Sequence, residues 1–251
     1  MGHARLSLVL PFYNEEANVL RVIHDLEAAF EKEGLEAYEI VAVNNGSRDR
    51  TGELLKGLHK KNPRVNIVTV PVNQGLGHGI LQGFNASGGD YIGFHPGDGQ
   101  IGAGDVVKVW RKLVREDLDL CKVRRVVRED GFQRKVISLI FNFLCRAMFG
   151  IRSDDVNGIP KIMKREALEK MALVSRDWFI DTEIMIKAAQ LGLKIGEEDV
   201  QFLKREGGKS SINHRALLQF LKNMVLYRVR GCPMETKRAP RLEEKLQGGR
   251  I

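Results

Sequence analysis

Short apolar runs, each ending in a polar turn-forming cluster and separated by helix-period segments, fill the first hundred residues. Few folds accept that alternation. Leu6–Leu10 stops at Pro11, and Tyr38–Val43 stops at Asn44-Asn45-Gly46-Ser47. Val65–Val70 forms a third run, and Tyr91–Phe94 stops at His95-Pro96-Gly97-Asp98-Gly99-Gln100. Between them, Glu15–Glu33 sets Val19, Val22, Ile23, Leu26 and Phe30 on one side at helical spacing. Arg50–Lys60 turns Leu54, Leu55 and Leu58 inward, and Gly75–Ala86 opens as a glycine-rich helix. Strand–helix–strand alternation calls for right-handed crossovers, hence an α/β fold with a mostly parallel sheet flanked by helices. Ligands of such sheets bind beyond the carboxyl ends of the strands. Tyr13–Glu16, Asn44–Asp49 and His95–Gln100 all fall there, so one site assembled from these loops is expected.

The second half reads differently. Asp105–Arg115 is helical, Leu118–Val127 is a strand running into a basic loop, and Gly131–Phe149 is a long helix. Asp181–Leu191 is a further helix, Lys194–Gln201 leads into a strand, and Ala216–Val229 is a last amphipathic helix. One domain over residues 1–231 is expected, with membrane-surface helices within about 131–150 and 216–229, then a charged flexible tail over 232–251. No apolar run approaches the roughly 20 residues of a spanning helix. The longest, Val136–Ile151, is broken by Asn142 and Arg146. The start, Met-Gly-His-Ala-Arg, lacks the features of a signal peptide.

The formal net charge of +8 favours anionic partners: phosphorylated small molecules, an anionic membrane surface or nucleic acid. The basic stretch Lys122–Arg128 has no aromatic interleaving and no recognised binding module around it, which argues for phosphate steering and against nucleic acid. Cys121, Cys145 and Cys232 form no C-x-x-C pair, so a disulfide framework or zinc site is not expected and a reducing, cytoplasmic setting fits. Gly208-Lys209-Ser210 lacks the leading glycine of a P-loop, with Leu203 in its place.

Each polar loop admits a structural and a chemical reading. In Pro11-Phe12-Tyr13-Asn14-Glu15-Glu16, Asn14 is either a helix N-cap, or the ring and carboxylate at this strand tip contact a nucleoside. In the second loop Ser47 or Asp49 caps a helix, and the Asn45 amide suits a nucleobase edge. Asp98 and Gln100 are either part of a plain turn or hard oxygen ligands for Mg²⁺ or Mn²⁺ on a diphosphate. Arg134, Ser138, Asn142 and Arg146, four apart, form one polar stripe with apolar flanks on the long helix. That stripe is either the wet side of an ordinary helix or a cradle for a lipid phosphate, with the flanks on its hydrocarbon. Asp181 is an N-cap or, with Glu183, a general base toward an acceptor hydroxyl.

The ordered series P-x-Y-N-E-E, x-N-G-S-x-D-x-T, N-x-G-L-G (Asn73–Gly77), G-D-Y-I-G-F and x-x-x-D-x-Q resembles the inverting family 2 glycosyltransferases of GT-A fold. The later half is similar to the dolichyl-phosphate-mannose-synthase-like, polyprenyl-phosphate branch, and the resemblance runs from about Leu6 to about Ile212. It implies that Pro11, Tyr13, Glu15, Val43 and Asn45 surround the nucleoside, and that Asp98 and Gln100 meet a metal and the diphosphate. It implies Arg125 near the phosphates, and Arg205 and Ser210 in a loop closing over the donor. The implied reaction moves a hexose-type sugar from a GDP-mannose or UDP-sugar donor to a polyprenyl or dolichyl phosphate at the cytoplasmic membrane face. A soluble hydroxyl acceptor, or nucleotide-sugar binding without catalysis, are the competing readings. Three acids usual in the family are replaced, by Asn44, Asn45 and Pro96. The change at Pro96 removes one expected metal contact. That at Asn45 puts an amide, which accepts and donates as uracil requires, where a carboxylate would suit guanine's paired donors.

Overall fold

The computed structural model describes residues 6–97, 99, 101–128, 132–202 and 222–229, with backbone only at 127–128, 132–136 and 202. The chain divides into two compact units, Met1–Ser211 and Ile212–Ile251. In the second unit, residues 222–229 are helical. The rest of the expected 216–229 helix and the whole 232–251 tail lie outside the described residues.

The first unit runs β1 (Leu6–Phe12), α1 (Val19–Glu33), β2 (Tyr38–Asn45), α2 (Thr51–Lys61), β3 (Val65–Val70), α3 (Leu76–Ala86) and β4 (Tyr91–Phe94). It continues α4 (Ala103–Arg115), β5 (Leu120–Arg128), α5 (Phe132–Phe149), β6 (Lys161–Lys164), α6 (Arg165–Met171), α7 (Ile180–Gln190) and β7 (Ile195–Phe202). The strands make one sheet in the order β3-β2-β1-β4-β6-β5-β7. β1, β2, β3 and β4 pair in parallel, as does β5 with β7, while β6 runs antiparallel between β4 and β5. The expected mostly parallel α/β sheet is what forms, with β6 and α6 as additions to it.

One sheet face carries Leu6, Leu8, Leu10 and Phe12 against α1 and α4, in a core that includes Leu26, Phe30 and Trp110. The period-2 alternation of β1 sends Val9 to the other face, where α3 crosses so closely that a Cβ on Gly83 would meet Val9 and Val43. α1 buries the expected Val19, Val22, Ile23, Leu26 and Phe30. It begins at Val19 instead of Glu15, because residues 14–18 turn sharply: Asn14 has φ 55°, and the Asn18 and Val19 N–H groups both donate to the Glu15 carbonyl. Among the described residues no helix is long and apolar enough to cross a membrane.

Candidate functional site

The loops after β1 and β2 are fastened to each other. The Asn14 N–H donates to Ser47 Oγ and the Arg48 N–H donates back to Asn14 Oδ1. The Glu15 N–H donates to Thr51 Oγ1, the Glu16 N–H to Asp49 Oδ2, and the Arg50 N–H to Glu16 Oε2. Asn14 therefore serves the neighbouring loop, not the helix it precedes. Asp49 keeps the expected capping task through the Thr51 N–H at 3.0 Å. Burial would raise its carboxyl, but the donors on Thr51 and Glu16 outweigh that and hold it below the usual carboxylate range. Tyr13 projects from this double loop, 46% exposed, and Pro11 lies half-buried behind it. Val43 is buried, and Glu15 turns its carboxylate to Asn18.

Asn45, at the tip of β2, is 2% exposed. Its Nδ2 donates to the Gly75 carbonyl at 3.1 Å, while its buried Oδ1 has no hydrogen-bond partner among the described residues. Gly79 of α3 lies against the amide, where a Cβ would come 2.9 Å from its carbon. The start of α3 in turn meets the segment before α7, as the His78 N–H donates to the Arg176 carbonyl. Beyond β4, His95 is buried, with its backbone N–H on the Val9 carbonyl and Nδ1 without a partner among the described residues; burial pushes its pKa down to about 4, so the ring is neutral. Gly97 follows so close to Phe12 that a Cβ would strike its ring. The tips of β1, β2 and β4 thus share one rim, the place expected for the site. Asp98, Gln100, Arg205 and Ser210 lie outside the described residues.

Below that rim the sheet buries an ionic network. Lys161, fully buried on β6, donates to Asp181 Oδ1 at 2.5 Å and to the Gly158 carbonyl at 2.9 Å. Burial drives its ammonium below lysine's ordinary range, and the charge of Asp181 works the other way. Lys122, also fully buried, reaches the Asp155 carbonyl and, at 2.8 Å, Glu197. Arg125 is 14% exposed and binds Asp155 through both sides: Nε to Oδ2 at 2.7 Å and Nη2 to Oδ1 at 2.6 Å. Burial would raise the Asp155 carboxyl, yet the guanidinium dominates and holds it low. Glu183 is wholly buried and accepts from the Val174 and Ser175 N–H groups and from Lys187. Asp181 and Glu183 therefore sit in structural partnerships that sequence spacing did not reveal.

The polar stripe of α5 is rearranged in the same sense. Asn142 is 8% exposed and spends both ends of its amide on backbone, donating to the Asp154 carbonyl and accepting from the Val156 N–H. Ser138 is half-buried, Arg146 is exposed and paired with Asp154 at 2.7 Å, and the Arg134 side chain lies outside the described residues. The outward face is apolar instead: Ile137, Leu139, Ile140 and Phe143 are 42%, 68%, 56% and 67% exposed. Among the described residues no cluster of three acids, histidines or cysteines could hold a metal.

The model of the family described as "Glycosyl transferase family 2" matches residues 7–172, which spans every strand from β1 to β6. The chain belongs to glycosyl transferase family 2. It is 28% identical to a dolichyl-phosphate beta-glucosyltransferase of Trichomonas vaginalis, over 93% of this chain and 77% of that protein. It is 27% identical to an undecaprenyl-phosphate 4-deoxy-4-formamido-L-arabinose transferase of Photorhabdus laumondii, over 88% and 67% of the two chains. These family 2 relatives are polyprenyl-phosphate sugar transferases by name. Among solved structures, glucosyl-3-phosphoglycerate synthase of Mycobacterium tuberculosis superposes with a TM-score of 0.70 at 20% identity, over 90% of this chain and 80% of that one. That likeness shows the GT-A fold. The M. tuberculosis enzyme was crystallised with UDP and Mn²⁺, and also with UDP and Mg²⁺.

Proposed function

We propose that this family 2 glycosyltransferase moves a hexose-type sugar, with inversion, from a uridine diphosphate sugar to a polyprenyl phosphate at a membrane surface. The outer face of α5 carries the acceptor reading: Ile137, Leu139, Ile140 and Phe143 offer hydrocarbon to solvent beside the basic Arg146. An apolar face edged by a cation suits a lipid whose head is anionic. The names of the polyprenyl-phosphate relatives support the same reading. So does the acid chemistry, since a phosphate acceptor is already a nucleophile and needs no general base. Glu183 is closed off, and Asp181 is held by Lys161.

Asn45 carries the donor reading. With one Nδ2 N–H on the Gly75 carbonyl, the amide keeps a second N–H and its buried Oδ1 acceptor. An amide that both accepts and donates matches the ring N–H and adjoining carbonyl of uracil, whereas guanine presents two adjacent donors. Tyr13, Pro11 and Glu15 would complete the nucleoside contacts, and Arg205 and Ser210 would close over the donor. Asp98 and Gln100 would hold Mg²⁺ or Mn²⁺, whose charge screens the diphosphate when bound. Arg125, fixed by Asp155, supplies a positive charge where negative charge collects on the leaving diphosphate.

The test is release of nucleoside diphosphate from UDP- and GDP-sugars, with Mg²⁺ or Mn²⁺, with and without polyprenyl phosphate. Release from a UDP-sugar only when the lipid is present is expected. Release with soluble hydroxyl acceptors alone would transfer the role to Asp181 and a soluble substrate. Binding of a donor without release under any condition would leave a non-catalytic nucleotide-sugar-binding protein.

A further inference from the structure

The segment 153–158, between α5 and β6, is a strap that Asn142 grips on both sides of Asp155. Its Nδ2 holds the carbonyl before (2.5 Å) and its Oδ1 the N–H after (3.1 Å). Pinned between these bonds, Asp155 turns both carboxylate oxygens to Arg125, which adds a backbone N–H bond at 2.9 Å. Lys122 holds the Asp155 carbonyl at 2.7 Å. Gly158 lets the strap pass tight against β5, since a Cβ there would come 2.0 Å from the Val123 carbonyl. The register of β5 against β7 shifts just after Arg125, a break of the kind that re-aims a side chain.

We propose that Asn142 is a positioning residue for sugar transfer, acting through Asp155 to fix the guanidinium of Arg125 at the diphosphate. The proposal rests on the reading of Arg125 given above. The rival role for Asn142, direct contact with an acceptor phosphate, is opposed by its burial, 8% exposed, and by the backbone bonds that each end of the amide already makes. A planar fork set in advance by a bidentate carboxylate needs no reorganisation as the anomeric bond breaks. A misplacement of about 1 Å in such a group costs about 10²-fold in rate. Through Asn142, the helix that carries the apolar outer face also sets the cation beneath the donor.

A double-mutant cycle on kcat tests this, in the full chain with a UDP-sugar and polyprenyl phosphate. The variants are Asn142→Ala, Arg125→Ala and both together. Asn142→Ala is expected to lower kcat about 10²-fold, to leave the lipid KM little changed, and to cost nothing further once Arg125 is gone. Losses that multiply would overturn the proposal, because groups acting separately add in free energy. A raised lipid KM with kcat preserved would overturn it in favour of direct acceptor contact. Unchanged kcat in Arg125→Ala alone would overturn both this proposal and the role of Arg125. Absence of lipid-dependent turnover in the native chain is instead the failure of the proposed function. Should Asn142→Ala not fold, Asn142→Asp keeps the acceptor for the Val156 N–H and turns a carboxylate oxygen on the Asp154 carbonyl. The same cycle and the same outcomes apply to it.

Discussion

Asn45 shows how one hydrogen bond decides what a side chain can offer. The Gly75 carbonyl can only accept, so it selects the amide nitrogen and turns Oδ1 the other way. Asn45→Asp, which restores the acid usual in the family, would set a carboxylate against that carbonyl at a position 2% exposed. A loss of about 1–3 kcal/mol is expected, the cost of an unmet buried polar group, read from urea denaturation. Calorimetric titration should show weaker UDP binding alongside it. Equal stability and tighter UDP binding would mean that the Gly75 contact does not govern the amide. Sequence could nominate Asn45 from its place at a strand tip. It could not say which half of the amide was taken, because Gly75 is thirty residues away and meets it only once α3 is packed.

At the scale of elements, the early strands and helices were legible and the strap and β6 were not, for electrostatic reasons. β1, β2 and α1 bury uncharged side chains, so their period is plain in the letters. β6 reads Lys-Ile-Met-Lys, and Lys161 breaks the apolar run although it is fully buried, because Asp181 from α7 neutralises it. The stripe on α5 misled for the same reason: Asp154 and the backbone around Asp155 arrive from outside the helix and claim Asn142 and Arg146. The strap should also carry an acid response. The Asp155 carboxyl is held low in the folded chain, so folding favours its charged form. Its contribution is full above the ordinary Asp value near 4 and is lost as pH falls through the lower folded value. Asp155→Asn should flatten the fall in stability below about pH 4, and should cost about 3–5 kcal/mol at pH 7 by removing the buried carboxylate that the Arg125 guanidinium faces. Denaturant titrations of both proteins across pH would check it. An acid limb as steep in the variant would assign the response to other carboxylates held low, Asp49 among them.

For the molecule as a whole, the +8 net charge and the face of α5 should act together on a bilayer. Co-sedimentation with vesicles containing anionic lipid is expected, weakening as salt is raised and the Debye length contracts from about 10 Å at 0.1 M to about 3 Å at 1 M. Ile140→Glu with Phe143→Glu should abolish it without lowering thermal stability, since both side chains already face water. Retained binding would move the lipid contact elsewhere on the surface. The mutual fastening of the β1 and β2 loops has a separate bearing on how this scaffold can be re-engineered. Because Asn14, Glu15 and Glu16 are satisfied by Ser47, Asp49 and Thr51, and Arg48 and Arg50 reply in kind, the two segments form one cassette. Grafting either loop from another transferase to change donor preference would strand the hydrogen bonds of the other, so a workable chimera has to exchange both at once.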